Sequence, residues 1–414
     1  QAELVEVMQT YRDQRIPIDN IVQDWFYWPE DSWGCHCFDP ARFPDPAAMV
    51  DAVKALNGRV MISVWPKFYP DTAHGKALRE RGFLYERPLD AGQRDWVGKG
   101  YANTFYDPYV PEARALYWKQ MQDTLLPLGF DAWWMDATEP DWHSNLSVAE
   151  RAYQMTSPTT GVPGAAIFNS YPLVHADGVA EGLRVTQPDT RPFILTRSGF
   201  GGIQRASSAL WSGDVAARWD DLRDQISAGL NLSLAGVPNW THDIGGFAVE
   251  DRFSKQDPAH LPEWRELYLR WFQFGAFSPL FRSHGEFPQR ETYIVSEGDP
   301  AMADGLTHYH RLRYRLLPYI YTLAAATHFD DATILRPLVM DFKSDRKVWG
   351  IDDQYLFGPS IMAAPVTAIV RAIPAERGSR GAQPGRHRQF HPAAGCRECP
   401  RLRHRTGQRA DGCL

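Results

Sequence analysis

Apolar and polar positions follow two periods along the chain up to residue 305. Short β-branched and aromatic runs predict strands at Ile21–Trp25, Val60–Pro66, Phe130–Asp136, Phe193–Ser198, Ala209–Asp214, Gly236–Asp243 and Ser278–His284. Between them, apolar residues at helical spacing predict helices over Ala2–Arg12, Pro46–Leu56, Pro111–Leu128, Trp219–Leu230 and Leu261–Phe274. Strand-then-helix repetition specifies a parallel sheet covered by helices. Each strand run also ends in a side chain suited to chemistry or binding: Asp24, Trp65, Asp136, Arg197, Asp214, Asp243 and His284. One Asp at a strand end is commonly the N-cap of the next helix. Seven such ends in sequence fit a (β/α)8 TIM barrel, whose sites gather at the C-terminal ends of its strands. Seven strands rather than eight are legible, and the chain opens in a helix. The barrel is therefore expected to lack its first strand.

After residue 305 the pattern changes. Leu306–Thr327 predicts one long closing helix, and Ile334–Met340, Asp353–Phe357 and Ser360–Ala364 predict short strands. Residues 306–367 thus form a closing helix and the start of a small β domain. From Ala368 to Leu414 there are ten Arg, no Lys and three acidic residues, with little apolar content and no period. A disordered basic tail is one expectation. A shifted reading frame in GC-rich DNA is the other, since such DNA translates into Arg, Gly, Pro and Ala. The Cys396–Cys399 spacing in that tail is accordingly given no metal reading.

Composition sharpens this only in part. Aromatics make up 13% of the chain, with 15 Trp, more than a core ordinarily needs; the apolar face of a sugar stacks on such rings. A net charge of −6 gives no support for nucleic-acid binding. Five Cys, two of them close together at Cys35 and Cys37, do not suggest a disulfide framework. No apolar run reaches membrane-spanning length, and no secretory signal is visible.

The densest chemistry lies in Gly129-Phe-Asp-Ala-Trp-Trp-Met-Asp-Ala-Thr-Glu-Pro-Asp141, where two Trp precede Asp136 and Glu139 at a strand end. Clustered carboxylates among aromatics suit glycoside hydrolysis: one attacks or stabilises an oxocarbenium-like centre, the other protonates the leaving oxygen. A hard-metal site is the chemical alternative. Leu210-Trp-Ser-Gly-Asp214, Asn239-Trp-Thr-His-Asp-Ile-Gly-Gly-Phe247, Leu195-Thr-Arg-Ser-Gly199 and Phe281-Arg-Ser-His-Gly285 follow the same pattern.

These five segments, in this order, resemble the signature of family 31 glycoside hydrolases, and the resemblance runs from Gln1 to about Val366. It implies that Asp136 is the nucleophile and Asp214 the general acid/base, with Glu139 supporting. It also implies that Asp24, Arg197, Asp243 and His284 hold the nonreducing-end sugar between Trp134, Trp211 and Phe247, with Trp65 a further wall. Tyr11–Asp19, Gln23–Trp28, Arg42–Pro46 and Met61–Pro66 resemble the bacterial α-xylosidase branch. That implies a carbohydrate substrate with α-linked xylose, such as xyloglucan fragments; it favours a periplasmic or extracellular setting, with a cytoplasmic one the alternative. Trp25, next to Asp24, is expected to fill the space a hexose hydroxymethyl group needs. The implied reaction is retaining hydrolysis through a glycosyl-enzyme, with carboxyls about 5–5.5 Å apart and a proton-bearing Asp214. It needs no organic cofactor or metal. An α-glucosidase, an α-transglucosylase, a catalytically dead carbohydrate-binding barrel and an inactive gene fragment are the rival readings. Oligomeric state is not legible.

Overall fold

In the computed structural model, which describes residues 1–140 and 146–369, strand and helix alternate as the sequence pattern requires. The expected tail, beyond Ala368 and Ile369, lies outside the described residues, as does Asp141 at the end of its motif. The strands are β1 (Asn20–Gln23), β2 (Arg59–Val64), β3 (Lys67–Phe68), β4 (Thr104–Phe105), β5 (Ala132–Met135), β6 (Ile194–Thr196), β7 (Ser208–Trp211) and β8 (Trp240–Thr241). Six of them form one sheet in the order β1-β2-β5-β6-β7-β8, every pair parallel. β3 and β4 form a small antiparallel hairpin beside it.

Side-chain alternation divides the sheet's two faces. Met61, Ala132, Trp134, Leu195, Ala209 and Trp211 make one cluster, joined by Val22 and Leu280. Val60, Ile62, Val64, Trp133, Met135, Ile194 and Leu210 belong to the larger core. A period of two sends neighbours to opposite faces, so the first cluster fills the barrel interior and the second meets the surrounding helices. Burial on both faces is why these strands read as near-continuous apolar runs.

The helices start where local chemistry allows. Pro46 opens Pro46–Ala55 behind Asp45, whose carboxylate accepts the Ala48 N–H at 2.9 Å; Pro300 and Asp299 do the same for Pro300–Arg315. Pro at the first position loses no intrahelical bond, and the acidic cap satisfies an orphan donor. Leu261–Gly275 buries Trp264, Leu267, Tyr268, Trp271, Phe272 and Phe274, one apolar stripe at helical spacing.

Three expectations are corrected here. Ser278–His284 is not a strand: it makes one parallel bridge, Ser283 to Ile244. Pro279 has no N–H to give a ladder, and Arg313 takes the carbonyls of Ala276, Ser278 and Pro279 at 3.1, 2.6 and 2.7 Å. The single helix Leu306–Thr327 is two, Pro300–Arg315 and Leu317–Phe329. Pro318 cannot continue the first helix but suits the first turn of the second. Cys35 and Cys37, which did not suggest a disulfide framework, are bonded to each other. His36 between them sits at φ 49°, a tight left-handed turn that brings their Cα atoms to 5.1 Å, within disulfide reach.

Beyond the barrel, β9 (Leu335–Pro337), β10 (Tyr355–Phe357) and β11 (Ile361–Ala363) form an antiparallel sheet in the order β11-β10-β9. The Tyr355 hydroxyl donates to the Phe277 carbonyl at 3.0 Å, tying this sheet to the barrel. At the other end, the first helix (Ala2–Asp13) is anchored by Tyr11. Its buried hydroxyl oxygen accepts the Thr292 N–H at 3.0 Å, and its ring meets Tyr293 and His310 edge-on. Among the described residues, no helix is long and apolar enough to cross a membrane.

Candidate active site

Strand register places the acidic and basic side chains at one level. Met135 of β5 pairs with Thr196 of β6, and Thr196 with Leu210 of β7. The next residues, Asp136 and Arg197, leave their strands together, and the Arg197 N–H donates to the Met135 carbonyl at 3.1 Å. Asp214 follows β7 after Gly213, whose φ of 75° is a turn glycine accepts without strain.

Arg197 is the hub. Its three guanidinium nitrogens face three carboxylates: Nη1 to Asp136 at 3.4 Å, Nη2 to Asp214 at 3.0 Å and Nε to Glu139 at 3.1 Å. Sharing one guanidinium keeps Asp136 and Asp214 within a single side chain's reach of each other. Burial works against the Arg197 charge, but Glu139, Asp136 and Asp214 outweigh it and hold the group well above its usual range. Asp136, 8% exposed, is raised by burial; Arg197 opposes this and Asp214 adds to it. The Asp214 side chain keeps 42% exposure. Behind the pair, the Thr138 hydroxyl meets those of Thr196 and Ser198 at 2.9 and 3.0 Å, fixing the loop after β5.

A second charged group faces the first. Asp243, fully buried after β8, accepts from Arg282. Burial pushes its carboxyl up to about 6, with Arg282 opposing and Asp214 adding repulsion. The Arg282 guanidinium also lies 5.2 Å from the Trp134 ring and 5.7 Å from that of Trp211. Asp24 follows β1 and accepts the Trp25 N–H at 2.7 Å. The protein enclosing it pushes its carboxyl up to about 7; that hydrogen bond opposes the rise, and Asp136 adds to it. Because 41% of the Asp24 side chain stays accessible, water tempers that rise. His284 stands 3.9 Å from Asp24, edge-on to Trp134 at 4.7 Å and 5.5 Å from Phe247. Burial, with help from Arg282 and Arg290, lowers its pKa well below the usual value, so the ring is neutral at pH 7. Trp134 and Trp211 meet edge-to-face at 5.4 Å.

The structure therefore brings Asp24, Trp134, Asp136, Glu139, Arg197, Trp211, Asp214, Asp243, Phe247 and His284 near one another through these contacts. Trp25 and Trp65 sit to one side. Trp25 is half-buried, stacked on Trp33 at 5.3 Å. Trp65 is only 8% exposed and packs edge-on to Trp33 at 4.8 Å, so it backs the aromatic cluster instead of forming an open wall.

Two features escaped the sequence reading. Arg282 lies two residues before His284 in a segment already singled out; a fully buried Asp243 demands a counter-charge, and that was the available signal. Lys67 of β3 is fully buried, with its ammonium 3.6 Å from Asp95 and over the rings of Trp33 (3.9 Å) and Trp96 (4.5 Å). No sequence period marks it.

A parallel α/β barrel whose strand ends surround one arginine with carboxylates, walled by tryptophans, is the class of protein defined so far. Comparison with known proteins makes this particular. Residues 1–323 match the glycosyl hydrolases family 31 TIM-barrel domain and residues 331–374 the family's C-terminal domain; the chain belongs to glycosyl hydrolase family 31. It is 37% identical to an α-xylosidase of Saccharolobus solfataricus over 89% of this chain and 46% of that protein. The crystal structure of a family 31 α-xylosidase from Xanthomonas citri superposes with a TM-score of 0.86 at 56% identity, covering 88% of this chain and 40% of that one. A soil-metagenome α-xylosidase complexed with xylose gives 0.77 at 34% identity, over 89% and 54%. The chain spans about half the length, or less, of these relatives.

Proposed function

We propose that this chain is the catalytic barrel of a retaining glycoside hydrolase that releases α-linked xylose from the nonreducing end of oligosaccharides such as xyloglucan fragments. The observation that carries this is the shared guanidinium: Arg197 engages Asp136 and Asp214 at once. One guanidinium engaging both carboxyls is compatible with double displacement, which needs them about 5–5.5 Å apart. Asp136 attacks the anomeric carbon while Asp214 gives its proton to the departing oxygen, forming a β-linked glycosyl-enzyme. Asp214 then takes a proton from water, and the hydroxide oxygen displaces Asp136 to release the α-sugar. Burial disfavours ionised Asp136, and Arg197 counters it, favouring the anion that attacks.

Asp24, Asp243 and His284 hold the sugar hydroxyls between Trp134, Trp211 and Phe247. Trp25, stacked on Trp33, occupies the space a hydroxymethyl group would take and sets the preference for a pentose. Missing a CH₂-sized pocket costs about 1–3 kcal/mol. The test is hydrolysis of aryl α-xyloside and aryl α-glucoside, with Asp136→Asn as control. Xyloside preference lost in the variant supports the reading. Glucoside preference makes it an α-glucosidase of the same family, and activity surviving in the variant removes Asp136 from its role.

A further inference from the structure

We infer that Arg290 is a positioning residue that sets the spacing between Phe247 and His284, an inference that rests on the proposed role of those two side chains around the sugar. The two come from separate segments. Phe247 follows β8, and His284 lies in the irregular stretch after the helix Leu261–Gly275. Few backbone contacts join these segments: Ile244 and Ser283 share one parallel bridge, and the Glu286 N–H donates to the Phe247 carbonyl at 3.1 Å. The Arg290 guanidinium adds three more. Its Nη2 donates to the carbonyl of Gly246, the residue before Phe247, at 2.7 Å. Its Nη1 donates to the carbonyls of Glu286, at 2.7 Å, and Pro288. One side chain thus ties the segment carrying Phe247 to the segment carrying His284, and the two rings lie 5.5 Å apart.

The clamp is itself braced. Arg290 is 6% exposed, and its guanidinium lies 4.7 Å from the Trp264 ring. Tyr268, one helical turn on from Trp264, donates its hydroxyl to the Arg290 carbonyl at 2.8 Å and meets the Ser283 hydroxyl at 2.9 Å. Glycines beside it leave room for the guanidinium: a Cβ on Gly285 would collide with Arg290 Nη2 and with the Gly246 carbonyl. Burial lowers the Arg290 pKa to about 10, so the group stays charged at pH 7 and its bonds to the carbonyls are charge-assisted. A planar fork donates in two directions at once, whereas a Lys ammonium is a point charge on a flexible stem. The residue type therefore suits a bridge between two segments. Displacing a substrate-holding group by about 1 Å can cost up to about 100-fold in rate, so a clamp remote from the chemistry still bears on it.

The test begins with Arg290→Lys and an aryl α-xyloside. KM, and the inhibition constant of free xylose with it, rises roughly tenfold while kcat stays within about threefold. Arg290→Ala shows the same pattern and is partly rescued by added guanidinium but not by methylammonium, which lacks the fork. Tyr268→Phe, which removes only the bracing hydroxyl, moves KM the same way by a smaller factor and serves if the Arg290 variants do not fold. Unchanged KM in these variants, a loss confined to kcat, or equal rescue by the two cations overturns the inference. A wild-type chain inactive on the xyloside instead counts against the proposed function. The clamp is then read by hydrogen exchange: protection lost at the Glu286 amide in Arg290→Lys, with β5 and β6 unchanged, supports it. Unchanged protection there, or a loss spread equally over the barrel, overturns it.

Discussion

Replacing Arg197 by Met removes the cation that faces Asp136, Asp214 and Glu139 at 3.0–3.4 Å. Coulomb's law gives roughly 4 kcal/mol for opposite charges about 4 Å apart at an effective dielectric of about 20. Neighbouring opposite charges commonly lower carboxyl titration by about one to three pH units, consistent with that figure after solvent takes its share. Asp136 is already raised by burial with Arg197 opposing, so removing Arg197 raises it further. The sign is fixed: the attacking group must be ionised, so activity survives only at higher pH. The assay is kcat/KM against pH on α-xylosyl fluoride, whose leaving group needs little acid help, so the acidic limb reports the nucleophile. That limb moves up by about one to three pH units in Arg197→Met, while Arg197→Lys, which keeps the charge but not the fork, moves it less. An Arg197→Met limb superimposed on the wild type's would falsify the electrostatic role given to Arg197.

Asp243 makes stability pH-dependent. Its carboxyl is raised from 3.8 to about 6 by burial, so the folded state binds the proton more tightly. The stabilisation is complete below pH 4 and lost as pH rises through 6, about 3 kcal/mol in all. Urea unfolding should show Asp243→Asn gaining on the wild type by that order between pH 4.5 and 7.5; a constant difference refutes it. Gly246→Ala puts a Cβ 2.5 Å from the Ala217 nitrogen at a φ of 77°, costing about 1–3 kcal/mol and displacing Phe247. Chemical denaturation and a raised KM check this, and a neutral substitution contradicts it. Trp25→Ala should shift the xyloside-to-glucoside ratio of kcat/KM towards glucoside by about tenfold or more; an unchanged ratio means Trp25 only fills space.

Much of the fold was legible because burial on both faces writes parallel strands as apolar runs, and six of the seven predicted runs overlap the sheet strands, starting one residue late at β1, β2 and β7. The seventh failed for a reason invisible to local pattern: Arg313, some 35 residues on, captures the carbonyls a ladder would have used. The helix Tyr171–Thr186 went unread because Gly and Ala at Gly178, Ala176 and Ala180 let other groups pack closely without a strong apolar signal. Pro318 was in plain view, and the helix was read through it. In the site, Asp24, Asp136, Arg197, Asp214, Asp243 and His284 stood out because each follows a strand run. Arg282 and Lys67 did not, since their importance comes from the buried carboxylates they face across the sequence.

The Tyr11 anchor has a consequence for synthesis. Its partner Thr292 lies 281 residues downstream, and a ribosome adding about 5–20 residues per second takes roughly 15–60 s to make that stretch. Through that interval the side of the first helix that carries Tyr11 has no dock. A nascent chain stalled before Thr292 therefore exposes Tyr11 to chaperones or to other nascent chains, so the window of aggregation is set by translation speed more than by the stability of the finished barrel.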